Sequence, residues 1–260
     1  MNAANTNSTM ATYALQTKNL VKKFGGFVAT NDVTLNVQAG ARHALIGPNG
    51  AGKTTLINLL TGFLEPTSGS VTLKGEDVTR LAQHQRVKQG LARTFQINRL
   101  FADMTVLESV TLAVGERLGL GKRFWNPVGS FGEAVDEASQ LLTTLRLTDV
   151  ANERTKDLAY GKQRLIEIAL ALAAKPQVLL LDEPAAGVPT GESRELFETI
   201  ASLPKDVTIL LIEHDMDLVF RFADRISVLV SGALLIEDTP DVIAHHPLVK
   251  EVYLGEATHD

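Results

Sequence analysis

Apolar residues in this chain gather in short unbroken runs, set apart by a long middle stretch of helical texture. Val178–Leu181, Thr208–Ile212 and Ile226–Val230 are the longest runs, and each has the length of a strand. A parallel strand buried on both faces reads as just such a continuous apolar segment. Arg42–Ile46 is a shorter run of the same kind, and Ala233–Glu237 a further strand. Ala14–Leu20 and Val33–Val37 show partial alternation and predict strands with one buried face. Ser70–Leu73 is another strand, preceded by the turn Pro66-Thr67-Ser68-Gly69.

From Arg93 to Ala174 the pattern becomes helical. Thr105-Val106-Leu107-Glu108 has the spacing of a capping box, with apolar Val110, Leu112 and Ala113 after it. Glu133–Leu145 predicts an amphipathic helix and Gln163–Ala174 another. Between the Thr105 stretch and Glu133, Gly115–Gly132 holds five glycines, Pro127 and Trp125, the only tryptophan, and reads as a loop-like insertion. The order predicts an α/β core interrupted by a helical subdomain. The expected division is a disordered lead over 1–12, core over 13–95, helical subdomain over 96–175, and core again over 176–260.

Composition narrows the classes. The 260 residues suit one large domain or a core with a subdomain, and 45% are hydrophobic. A net charge of −5 without a basic run disfavours a general nucleic-acid binder. There is no cysteine, hence no disulfide framework. Residues 1–12 lack the basic start and apolar centre of a signal peptide, and no apolar run approaches a membrane span. Any connection to a membrane is expected to come through a partner.

The chemistry is concentrated at Gly47-Pro48-Asn49-Gly50-Ala51-Gly52-Lys53-Thr54, which fits G-x-x-x-x-G-K-[ST]. It lies between the Arg42–Ile46 strand and a helix expected from Thr55-Leu56-Ile57-Asn58. The glycines let backbone N–H groups converge on an anion at the positive end of that helix. Lys53 can then reach the β- and γ-phosphates, and the Thr54 hydroxyl can ligate Mg²⁺. The bland alternative is a Gly-rich turn. Val178–Leu181 runs into Asp182-Glu183, two acids at the carboxyl end of a buried strand, where such sheets form their ligand crevice. Asp182 can hold Mg²⁺ through water, and Glu183 can orient or deprotonate an attacking water. Otherwise these are solvated acids at a strand exit.

Leu158-Ala159-Tyr160-Gly161-Lys162-Gln163 resembles the signature loop of ATP-binding cassette (ABC) proteins, usually Leu-Ser-Gly-Gly-Gln. The resemblance runs from about Tyr13 to Gly255. It implies a P-loop NTPase (RecA-like) core with an antiparallel β subdomain and an inserted α-helical signature subdomain. It also implies ATP and Mg²⁺ as cofactors. Gly47 to Thr55 would hold the phosphates, Phe24 would stack on adenine, and Thr54, Gln96 and Asp182 would serve the metal. Lys53, Gln96, Glu183 and His214 would act in hydrolysis. Ala159, Tyr160, Gly161 and Lys162 would face the ATP of a second subunit.

Phe24-Gly25-Gly26-Phe27, Ala92-Arg93-Thr94-Phe95-Gln96, Glu183-Pro184-Ala185-Ala186-Gly187 and Ala223-Asp224-Arg225-Ile226 are similar to the ATPases of branched-chain amino acid importers. Importers of urea or other small amides share many of these stretches. That likeness implies a motor subunit at the cytoplasmic face of the cell (inner) membrane. Its partners would be permease subunits, a second ATPase, with a heterodimer favoured, and indirectly an extracytoplasmic solute-binding protein. Two other classes are a soluble cassette ATPase of DNA repair or translation and a nucleotide-binding regulator without turnover. Trp125 either anchors a contact with the permease or packs on its own subdomain.

Two residues depart from the pattern. Ala159 stands where the signature serine is usual, and cannot donate to a γ-phosphate. Pro189 stands where Asp or Asn is usual, and brings neither a side-chain hydrogen bond nor an N–H. His245-His246, at a chain end, reads as solvated surface, and Asp32 and Glu76-Asp77 as turn acids.

Overall fold

The structure is a computed structural model and describes residues 12–94, 102–120 and 132–256. The predicted lead, apart from Thr12, lies outside the described residues, as do Gln96 and Trp125.

A long strand, β1 (Tyr13–Phe24), organises the first subdomain. It pairs antiparallel with β2 (Phe27–Val33) and, along its first half, with β3 (Asn36–Gln38). The expected single strand Val33–Val37 is therefore split. The cause is Thr17 of β1, whose hydroxyl donates to the Val33 carbonyl at 2.8 Å and accepts from the Leu35 N–H at 2.9 Å. A side chain thus takes the backbone groups that would have continued the ladder.

The chain then enters β4 (Arg42–Ile46), with all five residues buried, and leaves it through the loop that leads into α1 (Lys53–Thr61). Next come β5 (Ser68–Leu73), β6 (Glu76–Asp77), α2 (Gln83–Lys88) and β7 (Leu91–Arg93). β5 pairs with β1, setting Leu15 opposite Leu73, which completes an antiparallel sheet of order β2-β1-β5-β6 with β3 also on β1. The carbonyls at the end of α1 are gathered by Arg86 of α2, which is only 1% exposed. Its guanidinium donates to Leu59 and Leu60 at 2.7 Å, Thr79 at 2.8 Å and Leu81 at 3.0 Å. A cation at a helix C-terminus satisfies orphan carbonyls and meets the negative end of the dipole.

Helices α3 (Val106–Arg117), α4 (Gly132–Thr144) and α5 (Tyr160–Leu172) follow. The stretch expected as a loop over 115–132 is helical at its two ends, in α3 and at Gly132 of α4, while 121–131 lie outside the described residues. Val106, Val110 and Val114 bury one face of α3, and this 3.6-residue register carries the helix through Gly115. The Thr105–Glu108 capping box forms as expected, with the Thr105 N–H to Glu108 at 2.8 Å and the Glu108 N–H to Thr105 at 3.2 Å. Arg93, expected where helical texture begins, instead ends strand β7.

The remaining elements are β8 (Val178–Asp182), α6 (Thr190–Ala201), β9 (Thr208–Ile212), α7 (Met216–Phe222), β10 (Arg225–Val230), β11 (Ala233–Asp238), α8 (Pro240–His245) and α9 (Pro247–Glu256). They complete a six-stranded sheet of order β11-β10-β4-β9-β8-β7. Every neighbouring pair from β10 to β7 is parallel, and β11 alone runs antiparallel. Its two faces feed separate cores. Leu45, Leu180, Leu210 and Ile212 pack with α1 and the antiparallel sheet. Ile46, Leu179, Leu181 and Leu211 pack with α3, α5 and α6. Burial on both faces explains the unbroken apolar runs, and each such Leu or Ile contributes about 1.5–3 kcal/mol relative to exposure.

Candidate functional site

Three parallel neighbours, β4, β9 and β8, set the geometry. The Gly47–Lys53 loop leaves the carboxyl end of β4, His214 follows β9, and Asp182-Glu183 ends β8. Parallel strands bring these three exits to one edge of the sheet, with about 5 Å between neighbours. The structure therefore gathers residues that lie more than 160 positions apart in the chain.

The loop after β4 is tightly fitted. A Cβ at Gly47 would strike the Leu229 carbonyl of β10, and one at Gly52 would lie 2.5 Å from the Ala29 carbonyl of β2. Gly52 is also the N-cap of α1 and adopts φ +99°. The Lys53 ammonium folds back over the loop and donates to the carbonyls of Gly47 at 2.7 Å and Pro48 at 3.0 Å. Ala51 is buried, Asn49, Gly50 and Thr54 are exposed, and Pro48 and Thr55 are half-buried. The contact of β2 with Gly52 also ties in the β1–β2 hairpin. At its tip Phe24 is 47% exposed, with the Lys22 ammonium 5.2 Å from its ring centroid. Phe27, its cross-strand partner, is exposed too, and was not singled out from the sequence.

At the end of β8, Asp182 is half-buried and ion-paired with Arg93 at 2.7 Å. Arg93 also donates to Asn58 of α1 at 3.0 Å, so that β7, β8 and α1 share one polar link. Glu183 is exposed and sits in the left-handed region at φ +48°. For a non-glycine residue that conformation costs about 1–3 kcal/mol, which the surroundings must hold in place. Its N–H donates to the Ile212 carbonyl at 2.9 Å, so the pairing with β9 extends one residue past the strand.

Glu213 went unnoticed in the sequence because it stands between an apolar run and His214, with no periodic mark. Its side chain is 1% exposed, while that of His214 is 67% exposed. One Glu213 oxygen accepts from the Ala185 N–H at 3.1 Å, the other from the His214 N–H at 3.0 Å. His214 Nδ1 lies 3.6 Å from the second oxygen. Asp215 then caps α7, accepting from the N–H groups of Asp217 and Leu218. Ala185, Gly187, Ser193, His214 and Arg221 border a cleft of about 360 Å³ beside these loops.

The signature residues lie elsewhere, at the start of α5. That helix begins at Tyr160 with Ala159 as N-cap, earlier than the start expected near Gln163. The early start is fixed by Arg164, which donates to the Tyr160 hydroxyl at 2.6 Å with its guanidinium 4.8 Å from the ring. Arg164 also pairs with Glu167 at 2.8 Å in a buried position. Burial pushes the Glu167 carboxyl up, against the pull of Arg164. Lys162 bonds Asp149 at 2.5 Å and holds that exposed carboxyl below its usual range. Tyr160 and Gly161 pack on Gly187 and Val188, not on the β4 loop. The Gly161 N–H donates to Glu192 of α6 at 2.9 Å, a partner that the sequence did not announce. Pro189 is the N-cap of α6 and makes no side-chain cap bond.

Among the described residues no cluster of three or more His, Asp or Glu side chains could hold a metal by itself. His245 is exposed, with its ring 2.8 Å from the Asp241 carbonyl. Among the described residues no helix is long and apolar enough to cross a membrane.

Residues 30–186 match the family model described as ABC transporter. The chain is similar to the high-affinity branched-chain amino acid transport ATP-binding protein BraF of Pseudomonas aeruginosa. The two are 43% identical over 250 residues, covering 94% of this chain and 98% of the relative. LivG of Escherichia coli, described in the same words, gives the same identity and coverage. Among solved structures, the ADP conformation of an ATP-binding cassette of an ABC transporter has a TM-score of 0.83 at 34% identity, covering 95% of this chain and 99% of that one. A nucleotide-free cassette has a TM-score of 0.80 at 32% identity, covering 94% and 99%.

Proposed function

Because this chain belongs to the ABC transporter family and is an ATPase of that family, we propose that it is the motor subunit of an importer of branched-chain amino acids or related small polar solutes. The observation that carries the proposal is the shared edge of β4, β9 and β8, which supports a single site built from Lys53, Asp182, Glu183 and His214. The relatives named as branched-chain amino acid transport proteins support the solute class. In this reading the chain works at the cytoplasmic face of the inner membrane, docked on permease subunits. Residues 96–175 form its signature subdomain.

ATP would lie with its phosphates on the loop Gly47 to Thr55 and its adenine on Phe24. The α1 dipole and Lys53 favour the negative charge. Lys53 would exchange the Gly47 and Pro48 carbonyls for phosphate oxygens, a charge-assisted bond that is stronger than the one it leaves. Glu183 would orient and accept a proton from the attacking water, and His214 would address the γ-phosphate.

The residues present fit Mg²⁺. This ion takes one or two carboxylates plus substrate phosphates, not a full protein cage. Asp182, the exposed Thr54 and Gln96 are the proposed ligands, and the ion would neutralise charge on the phosphates. The bond from Arg93 engages one Asp182 oxygen and fixes the side chain at the edge of the site.

Ala159 and Pro189 weaken what the chain would give a neighbouring subunit, while its own loop, Asp182 and Glu183 are intact. This asymmetry supports pairing with a similar but distinct ATPase that carries an intact signature. The test of the function is Glu183→Gln, which keeps shape and removes the carboxylate. ATP binding should persist while phosphate release falls at least about a hundredfold, in line with loss of an acid–base group. Turnover within a few-fold of wild type would remove Glu183 from the site.

A further inference from the structure

The side chain of Glu213 is as buried as a core leucine, yet among the described residues its one ion-pair partner is the neighbouring histidine. His214 Nδ1 lies 3.6 Å away, on a ring that is mostly in solvent. Burying an acid in such a place is costly unless its oxygens are satisfied. Both are satisfied by backbone. The Ala185 N–H belongs to the loop that begins at Glu183, and the His214 N–H belongs to the residue that carries the imidazole. One side chain therefore clamps the exits of β8 and β9.

The neighbouring bonds complete the clamp. Glu183 N–H donates to Ile212 and Ala186 N–H donates to the Glu183 carbonyl at 3.0 Å, so the turn from 183 to 186 hangs between β9 and Glu213. Glu183 occupies a left-handed conformation, which persists only when its surroundings over-determine it. Asp215 fixes the other side of His214 by capping α7. Among the described residues, the partners of Glu213 are thus the Ala185 amide from the loop after β8 and the amide and imidazole of the adjacent His214.

We infer that Glu213 is a positioning residue for hydrolysis, setting the distance between Glu183 and His214 without touching nucleotide. The inference rests on the proposed roles of those two residues. Glutamine at 213 could accept only through one oxygen, and its amide would face an N–H. The bond that joins the two exits is the one from Ala185, since His214 is covalently next to Glu213; weakening it would release the loop after β8, and a displacement of about 1 Å at a reacting group can cost about a hundredfold in rate.

The experiment is steady-state phosphate release by the full chain, alone and in the complex recovered with it from membranes, for Glu213→Gln, His214→Ala and the double variant. Glu183→Gln is measured in parallel. Glu213→Gln should lower kcat about ten- to a hundredfold while KM for ATP and ATP affinity stay within about twofold. In the His214→Ala background its further effect should shrink, because the two residues act as a unit. Glu213→Asp, which keeps two acceptors but withdraws them by one methylene, should fall between wild type and Glu213→Gln. It carries the same test if Glu213→Gln fails to fold. Unchanged kcat, a loss confined to KM or melting temperature, or full additivity with His214→Ala would overturn the inference. Full turnover by Glu183→Gln would instead overturn the site on which it rests.

Discussion

The amino ends of α1 and α5 are both candidate anion sites, and they are built differently. α1 starts at a glycine in the left-handed region, with no acid in its first turn and a lysine lying over the preceding loop. α5 starts at an alanine with no side-chain cap, and its Gly161 N–H is held by the Glu192 carboxylate of α6. A helix start favours negative charge, and an acid already seated there opposes a second anion. The comparison teaches that helix polarity does not make the two ends equivalent. The first carries a lysine over its loop and no acid in its first turn, and the second is supplied with a carboxylate from within.

The largest effect sets the conditions for testing this contrast. His43, in β4 beneath the β4 loop, is 1% exposed and bonds Ser227 at 2.8 Å. Burial, aided by Arg225, lowers its pKa from 6.5 to about 4. The unfolded chain takes up a proton near pH 6.5 while the folded chain resists until about pH 4. The stability that His43 contributes is therefore full above pH 6.5 and should fall by about 3 kcal/mol as the pH drops to 4, then level. Urea unfolding across this window should show that slope, and His43→Gln should flatten it. An equal slope in the variant would assign the acid sensitivity elsewhere.

At the start of α1, Lys53→Ala should weaken ATP about ten- to a hundredfold, the worth of a hydrogen bond to a charged group, and adenosine hardly at all. Phe24→Ala should weaken ATP and ADP alike by a few-fold, since stacking ignores phosphate number. Equal losses of ATP and adenosine from Lys53→Ala would dissolve the contrast from the α1 side.

The smallest effect belongs to the start of α5. Glu192→Gln keeps an acceptor for the Gly161 N–H and removes the charge. ATP-dependent pairing of subunits, followed by light scattering in the Glu183→Gln background, should strengthen about two- to fivefold, the scale of a charge near a helix end. Weaker pairing would make Glu192 a structural cap and nothing more.

Much of the first region could be read from residues alone. Buried parallel strands need continuous apolar runs, so Val178–Leu181 and Thr208–Ile212 announced the sheet. The Gly47–Thr54 spacing follows from a turn that admits no Cβ at Gly47. What escaped notice depends on contacts between distant segments. Glu213 reaches 28 residues back to Ala185, and Glu192 reaches 31 back to Gly161. Neither acid carries a local pattern. β7 is three residues long, too short for periodicity, and the break between β2 and β3 is imposed by Thr17 from another strand. Glycines suggested a loop at Gly115, where the valine face of α3 prevailed.

The claim that the chain keeps its own site whole while offering a weakened signature is tested most directly by Ala159→Ser. The measurement is steady-state phosphate release by the purified chain, with and without the substitution, beside the same pair in the complex recovered from membranes. A self-paired wild-type chain has two sites that lack the hydroxyl, so its turnover should be weak. Ala159→Ser should raise it about tenfold, the worth of a restored hydrogen bond to a charged group, and should raise that of the complex less. Robust turnover by the purified wild-type chain, unmoved by Ala159→Ser, would contradict the account.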